Sequence, residues 1–209
     1  MISVIHPSRL RAAKAAATWR SWIINNIFGE MEWILSLDED DNSPYNAYFD
    51  TSPIKLIRNK NKSAVEAINN AARIAIGDIL IVVSDDTDCG YNGWDAQILD
   101  AVKDRSDYLL RVDDGIQKRT CTMPIMDRAY YNRFGYIYNP IYTHSFADTE
   151  LTEVAYILGR IIVRNDLKFP HLHYSVTGEQ PDELYLRNDK THDPGREIFK
   201  QRQKINFGL

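Results

Sequence analysis

Cysteine is almost absent: the 209 residues include two, Cys89 and Cys121. With no close-spaced partner they build neither a disulfide framework nor a metal finger, which suits a reducing compartment. Glycine is scarce too, at 10 residues, and is missing from the first strand-to-helix turn, His6-Pro7-Ser8-Arg9. That gap excludes the dinucleotide fingerprint, and the absence of any G-x-x-x-x-G-K-[ST] excludes a P-loop. It also excludes the glycine-rich opening of sugar-nucleotide pyrophosphorylases. The first strand has no acids, so phosphatases that carry their nucleophile there are excluded as well. No apolar run approaches the roughly 20 residues a membrane helix needs. The N-terminus lacks the basic-then-apolar layout of an export signal. Nor does positive charge dominate: 25 Lys and Arg against 29 Asp and Glu leave a net of -4, so no general affinity for nucleic acid is expected. These absences predict a soluble, cytoplasmic chain without a membrane partner.

What is present is ordinary globular material, 44% hydrophobic and 26% charged, in a length that fits one domain. Short apolar runs alternate with amphipathic stretches, the mark of a parallel sheet covered by helices. Strands are predicted at 2–5, 33–37, 54–57, 79–83 and 108–112. Ser8 is read as the N-cap of an alanine-rich helix reaching about residue 24. Ser63 and Glu66 form a capping box; Val65, Ile68, Ala72, Ala75 and Ile76 follow at helical spacing, and Gly77 is read as the C′ residue. Further helices are expected at about 94–102 and 148–159, with a strand-like stretch at 167–170. The run Ile79-Leu80-Ile81-Val82-Val83 is apolar on both faces, as a central parallel strand must be.

Two predicted strands end in carboxylates. One runs into Asp38-Glu39-Asp40-Asp41 and the central one into Ser84-Asp85-Asp86-Thr87-Asp88. In an open parallel sheet the carboxyl ends of the strands form the ligand crevice, so both clusters belong on one rim. Crowded carboxylates raise one another's pKa unless a cation intervenes, and a hard divalent ion shared with phosphate is the usual remedy. An acidic turn is more often a solvated loop, and residues 38–41 alone invite that reading. Residues 85–88 directly follow the most buried strand and read as functional.

The order Ile2-Ser3-Val4-Ile5-His6-Pro7-Ser8-Arg9, then Glu32-Trp33-Ile34-Leu35-Ser36-Leu37-Asp38, resembles the opening of family 2 glycosyltransferases. Asn69 with Ala75-Ile76-Gly77-Asp78-Ile79-Leu80 resembles the stretch that leads to that family's Asp-x-Asp strand. The likeness spans residues 2–88 and loosens from there to 159. It implies an α/β fold, a single GT-A domain with a Rossmann-like, mostly parallel sheet flanked by helices. Residues 1–112 would hold the nucleotide sugar and 113–181 the acceptor, with a polar tail at 182–209 that is mobile or folds over the site.

The resemblance places the Asp-x-Asp motif on Ser84-Asp85-Asp86, with serine replacing the first acid. Asp86 is then the direct metal ligand, with Asp85 or Asp88 in support and His173 completing the shell. His171 and His173 flank Leu172, and i and i+2 residues of a strand face one way. Pro7, Ser8 and Arg9 would lie along the nucleotide with Asn69 and Asp85, and Asp38 would accept a hydrogen bond from the base, which suits uracil. Phe146-Ala147-Asp148-Thr149-Glu150-Leu151 resembles the stretch that supplies the general base of inverting members: Asp148, with Glu150 as substitute. A structural alternative stands beside it, because Ser145 and Asp148 also make a helix-start pair. The tyrosines at 130, 131, 136, 138 and 142, with Phe134, could stack on a sugar or base but are expected to pack on the sheet.

The implied activity is a metal-dependent hexosyl- or pentosyltransferase using Mn²⁺ or Mg²⁺ and a nucleotide-sugar donor, with a UDP-sugar favoured. The acceptor hydroxyl is unidentified; a phage-type acceptor such as a hydroxylated DNA base is one candidate and the only nucleic-acid role foreseen. Two rivals remain at this stage, a non-catalytic nucleotide-sugar or carbohydrate-binding module of the same fold and a nucleotidyltransferase.

Overall fold

Neighbouring residues of the central strands point into two different cores. Val4, Trp33, Leu35, Ile79, Ile81 and Val83 pack on one side, while Ile5, Ile34, Leu80 and Val82 pack on the other. This period-two split is what a sheet covered on both faces requires. The computed structural model describes residues 1–49 and 54–209. Its strands are β1 (Ile2–Ser8), β2 (Met31–Asp38), β3 (Ile54–Asn59), β4 (Ile79–Val82), β5 (Leu109–Asp113), β6 (Ile125–Asp127) and β7 (Ile161–Lys168). They form one 7-stranded sheet in the order β3-β2-β1-β4-β6-β5-β7. Only β6 runs against its neighbours, pairing antiparallel with both β4 and β5. The α/β architecture and mostly parallel sheet are those expected. Strand β6, too short to show a period, was not, and β7 begins well before the strand-like stretch seen in the sequence.

The principal helices of the first half are α1 (Ala12–Ile24), α2 (Tyr45–Tyr48), α3 (Ala64–Ile74) and α4 (Trp94–Ala101). They are followed by α5 (Arg128–Phe134), α6 (Ala147–Ile157) and α7 (Tyr174–Thr177). Trp22 of α1 meets Trp94 of α4 edge-on at 4.8 Å between ring centroids and stacks on Phe169 at 5.4 Å, closing one face of the sheet. Helix α3 covers the other face. Its start follows the capping signal, since Ser63 Oγ accepts from Glu66 N at 3.1 Å. The Glu66 carboxylate, however, reaches back to Lys62 N, at 2.8 Å, not to Ser63.

Two expected caps are replaced by other devices. Ser8 ends β1 instead of capping α1, because the chain turns through Leu10 at φ 57° and the N-cap position falls on Arg11, which gives no side-chain cap. Gly77 is not a left-handed C′ residue: α3 stops at Ile74 and Ala75 turns extended, with ψ 138°. Glycine is needed at 77 for close approach. A Cβ there would lie 2.5 Å from Ser3 Oγ and 2.6 Å from Ser3 N. Gly77→Ala should therefore destabilise by about 3 kcal/mol or more, at the upper end for overpacking because backbone is struck. A thermal or urea melt of the variant checks this.

The tail from residue 182 is helical, with α8 (Glu183–Asp189), α9 (His192–Lys204) and a 3₁₀ turn at Asn206–Gly208. It returns to the body through Arg202, whose Nη2 lies 2.8 Å from Glu150 Oε1, and through Tyr185. No described helix is long and apolar enough to cross a membrane.

Candidate active site

Strands β1, β2, β4 and β5 run one way, and the strand order reverses between β1 and β4. That reversal opens a crevice at their carboxyl ends, where ligands of open α/β sheets bind. Beyond β4 the chain turns back, with Thr87 N donating to Ser84 O at 3.1 Å. Residues 170–172 pin this turn: Asp88 N donates to Pro170 O at 2.9 Å, and Leu172 N to Asp86 O at 2.7 Å. The pairing sets His171 Nε2 3.3 Å from Asp86 Oδ1. The Ser84 hydroxyl donates to that same oxygen, and the Tyr185 hydroxyl donates to Oδ2. Burial alone would raise the Asp86 pKa. The hydrogen bond and charge of His171, with Ser84 and Tyr185, outweigh it and hold the carboxyl below the usual range. His171 responds in kind: burial lowers its pKa, but Asp86 raises it more.

The other acids of this turn point elsewhere. Asp85 is buried against His6, Nε2 to Oδ1 2.9 Å, and Asp88 accepts from Ser21 Oγ of α1 at 2.6 Å. His173 caps α7, its Nδ1 2.8 Å from Ser175 Oγ, with its ring 5.4 Å from that of His171. The metal set expected from the sequence, Asp86 with Asp88 and His173, is thus not assembled. Residues 84–88 do not continue the strand, so alternate acids are not brought onto one face. Among the described residues no three of His, Cys, Asp and Glu gather closely enough to hold a metal ion. What does fit a divalent ion is the pair of Asp86 and His171, an ionised hard carboxylate beside an imidazole, completed by oxygens of a substrate.

On the nucleotide side, Pro7 pairs with Ser36 beyond the last residue that β1 shares with β4, so its missing N–H leaves no ladder bond unmade. The Ser8 hydroxyl lies 2.9 Å from the Tyr45 hydroxyl. Arg9 forks onto Asp40, at 2.5 and 2.9 Å, and reaches Asp38 Oδ2 at 2.5 Å. Asp38 Oδ1 accepts from Asn61 Nδ2 at 3.0 Å. Asn69 is the clear departure. It is buried, and its amide holds the backbone of residues 137 and 138, with Nδ2 2.7 Å from Tyr138 O. It anchors a loop and faces no crevice.

On the opposite wall, α6 begins at Phe146 in the left-handed region, without the expected cap from Ser145, which bonds Thr191 instead. Asp148, in its first turn, is half-buried and accepts from Thr149 N at 2.8 Å. Among the described residues it makes no ion pair, and burial, the largest influence, raises its pKa. Its field, with that of Asp114, reaches His171 across the crevice. His144 is solvent-exposed, and desolvation lowers its pKa against the pull of Asp189 and Asp86. Glu150 faces away. It is buried, held by Tyr142 Oη at 2.8 Å, Asn139 Nδ2 at 2.8 Å and Arg202. Glu150→Gln should cost about 3 kcal/mol, because it leaves Arg202 without its counter-charge. The melting temperature should fall by roughly 6–12 °C while nucleotide affinity stays unchanged; calorimetry reads both.

Sequence reasoning did not single out Tyr185, Arg11, Asn61 or His144. Tyr185 lies 99 positions from Asp86, and no periodicity carries over that distance. His171 was visible as one of a pair, but the turn that favours it over His173 is set by backbone pairing.

No protein-family profile and no curated protein matches the chain. Solved structures do. The mannosyltransferase PcManGT from Pyrobaculum calidifontis, in complex with GDP-Man and Mn²⁺, superposes with TM-score 0.68 at 14% identity, over 88% of this chain and 58% of that one. This is the GT-A fold. TarS of S. aureus with UDP-GlcNAc gives TM-score 0.62 at 18% identity, over 80% of this chain and 57% of that one. Glucosyl-3-phosphoglycerate synthase from Mycobacterium tuberculosis, with Mn²⁺, UDP and glucosyl-3-phosphoglycerate, gives 0.62 at 13% identity, over 85% of this chain and 75% of that one. The chain thus spans under three fifths of the first two GT-A structures. At these identities the likeness establishes the fold and leaves activity to the site.

Proposed function

We propose that the chain transfers a sugar from a nucleoside-diphosphate donor to an acceptor hydroxyl. The observation that carries this reading is Asp86, kept ionised beside His171 at the strand-order reversal of a GT-A fold, with the unpaired Asp148 on the facing wall. Asp86 and His171 would hold a divalent ion against the donor diphosphate. Mn²⁺ is favoured because PcManGT and the mycobacterial synthase carry it with their nucleotides, and Mg²⁺ is the alternative. A bound ion would supply positive charge to the departing diphosphate. Without the ion, His171 Nε2, 3.3 Å from Asp86 Oδ1, orients that carboxylate. Asp148, with its raised pKa, takes the acceptor's proton as the hydroxyl attacks the anomeric carbon. Pro7, Ser8 and Asp38 would line the nucleoside, and a UDP-sugar fits a carboxylate that accepts from an imide N–H.

Ser84 supports a second reading. It replaces the first acid of the motif and donates to Asp86, a device also suited to a module that binds nucleotide sugar without turnover. One assay separates the two: wild type is incubated with UDP-GlcNAc, UDP-glucose and GDP-Man, with Mn²⁺ or Mg²⁺, and free nucleoside diphosphate is measured. Sugar acceptors and hydroxymethylated DNA are included. Release with one donor supports transfer. Thermal stabilisation by the same donors without release supports the module, and neither signal with any donor rejects both.

A further inference from the structure

Helix α8 covers the crevice, and it does so through the groups a diphosphate would need. Asp182 caps α8, accepting from Tyr185 N at 3.1 Å, and its two oxygens take Nε and Nη2 of Arg11 at 2.8 and 2.6 Å. The Arg11 guanidinium lies 4.1 Å over the Tyr185 ring, whose hydroxyl donates to Asp86. Arg11 and Asp86 therefore flank one phenol. The Arg11 side chain is only 8% exposed, although it leads into α1 at the rim of the sheet. A planar fork bound at two points by a carboxylate presents the donor pattern that a phosphate takes.

The rest of α8 is lightly held. Of its residues Glu183–Asp189 only Tyr185 is buried. An element fixed to the body through so few side chains opens locally at low cost. Asp182 and Tyr185, which hold its first turn, sit on Arg11 and Asp86, and its other end adds a bond from Tyr174 Oη to Asp189 Oδ2 at 3.3 Å.

We infer that α8 stands in for the donor's diphosphate. Arg11 is a diphosphate-binding residue capped by Asp182, and Tyr185 leaves Asp86 in the same movement. The inference rests on the nucleotide-sugar reading for the identity of the ligand, and on the contacts above for the site. A ligand that binds only the open form loses apparent affinity by the fraction of molecules closed. Loosening the cap should recover that affinity, and removing Arg11 should weaken binding further.

The test is isothermal calorimetry with two probes, UDP and inorganic pyrophosphate, each with Mn²⁺, on wild type and on Asp182→Asn, Tyr185→Phe and Arg11→Gln. Asparagine still caps a helix and phenylalanine keeps the ring, so each capping variant disturbs little and either can serve if the other fails to fold. Asp182→Asn and Tyr185→Phe should bind both probes about fivefold tighter or more. Arg11→Gln should bind both about tenfold weaker or more, as expected for losing hydrogen bonds to a charged partner. If wild type binds UDP and neither capping variant binds it more tightly, or Arg11→Gln binds it as well, α8 is no stand-in while the nucleotide reading survives. If pyrophosphate binds with the expected pattern and UDP does not, the inference stands and the nucleotide-sugar reading falls. If no protein binds either probe, both fall.

Discussion

Asp86→Asn should lower nucleoside-diphosphate release by about two to three orders of magnitude, the loss typical when one preorganised electrostatic partner of a developing charge is removed. Asparagine keeps the shape, but its single oxygen can accept from only one of Ser84 and Tyr185, which donate to different carboxylate oxygens of Asp86. What it loses is the full charge that His171, 3.3 Å away, now balances. Two secondary effects follow from the same pair. The His171 pKa, raised chiefly by Asp86 against burial, should fall in the variant. A His with a raised folded pKa lends stability below its unfolded pKa, and this is lost as pH rises through the folded value. The variant should therefore lack that portion of acid-side stability and melt lower than wild type near pH 6, with the gap narrowing above the His171 pKa. Asp86 must itself be ionised for this to hold, and its lowered pKa keeps it so well into acid. Kinetics with saturating donor, NMR titration of the imidazole and melts at two pH values check the three. Wild-type release by Asp86→Asn would remove Asp86 from the chemistry.

The fold was legible in the sequence where the chemistry is local or periodic. Residues 79–83 alternate between two cores, and the capping signal at Ser63 starts α3 one residue on. The placement of acids after strands follows from the same logic, since a parallel sheet puts all its strand ends on one rim. The signals failed where tertiary geometry decides. Gly77 looked like a cap because it follows a helix, yet its conformation is ordinary and its purpose is the close passage of Ser3. Asn69 looked like a family position, yet its amide is consumed by the backbone at 137 and 138. Arg11 and Tyr185 carry no motif. Their meeting depends on a tail that folds back from 171 positions away to set Asp182 on Arg11. Sequence patterns thus located the crevice, and the long-range contacts determine which side chains face into it.

Asp148→Asn should reduce turnover by about 10²–10⁴-fold and leave nucleotide affinity nearly unchanged, the profile of a general base that acts on the acceptor and not the donor. The pH dependence makes the assignment specific. A base works deprotonated, so the wild-type rate should fall as pH drops through the Asp148 pKa. Burial, the largest influence on it, places that value above the ordinary aspartate range. The acid limb of the rate profile should accordingly sit higher than a solvated carboxylate would put it, and it should vanish in the variant. Stability moves the opposite way. A carboxyl whose folded pKa is raised binds its proton more tightly when folded, so it contributes stability below its unfolded pKa that is lost as pH rises through the folded value. At neutral pH the variant, with no charge to desolvate, should melt at or above the wild-type temperature. Its Oδ1 can still accept from Thr149 N, the bond that carboxylate makes at 2.8 Å. Slower turnover with equal or greater stability is a pair that a purely structural acid would not produce, since losing such an acid lowers stability and leaves the rate alone. Wild-type turnover by Asp148→Asn, or an acid limb that survives in it, would assign proton removal to another group. His144 is then the candidate, close enough to Asp86 to feel its charge and with a lowered pKa that favours the neutral form able to accept a proton.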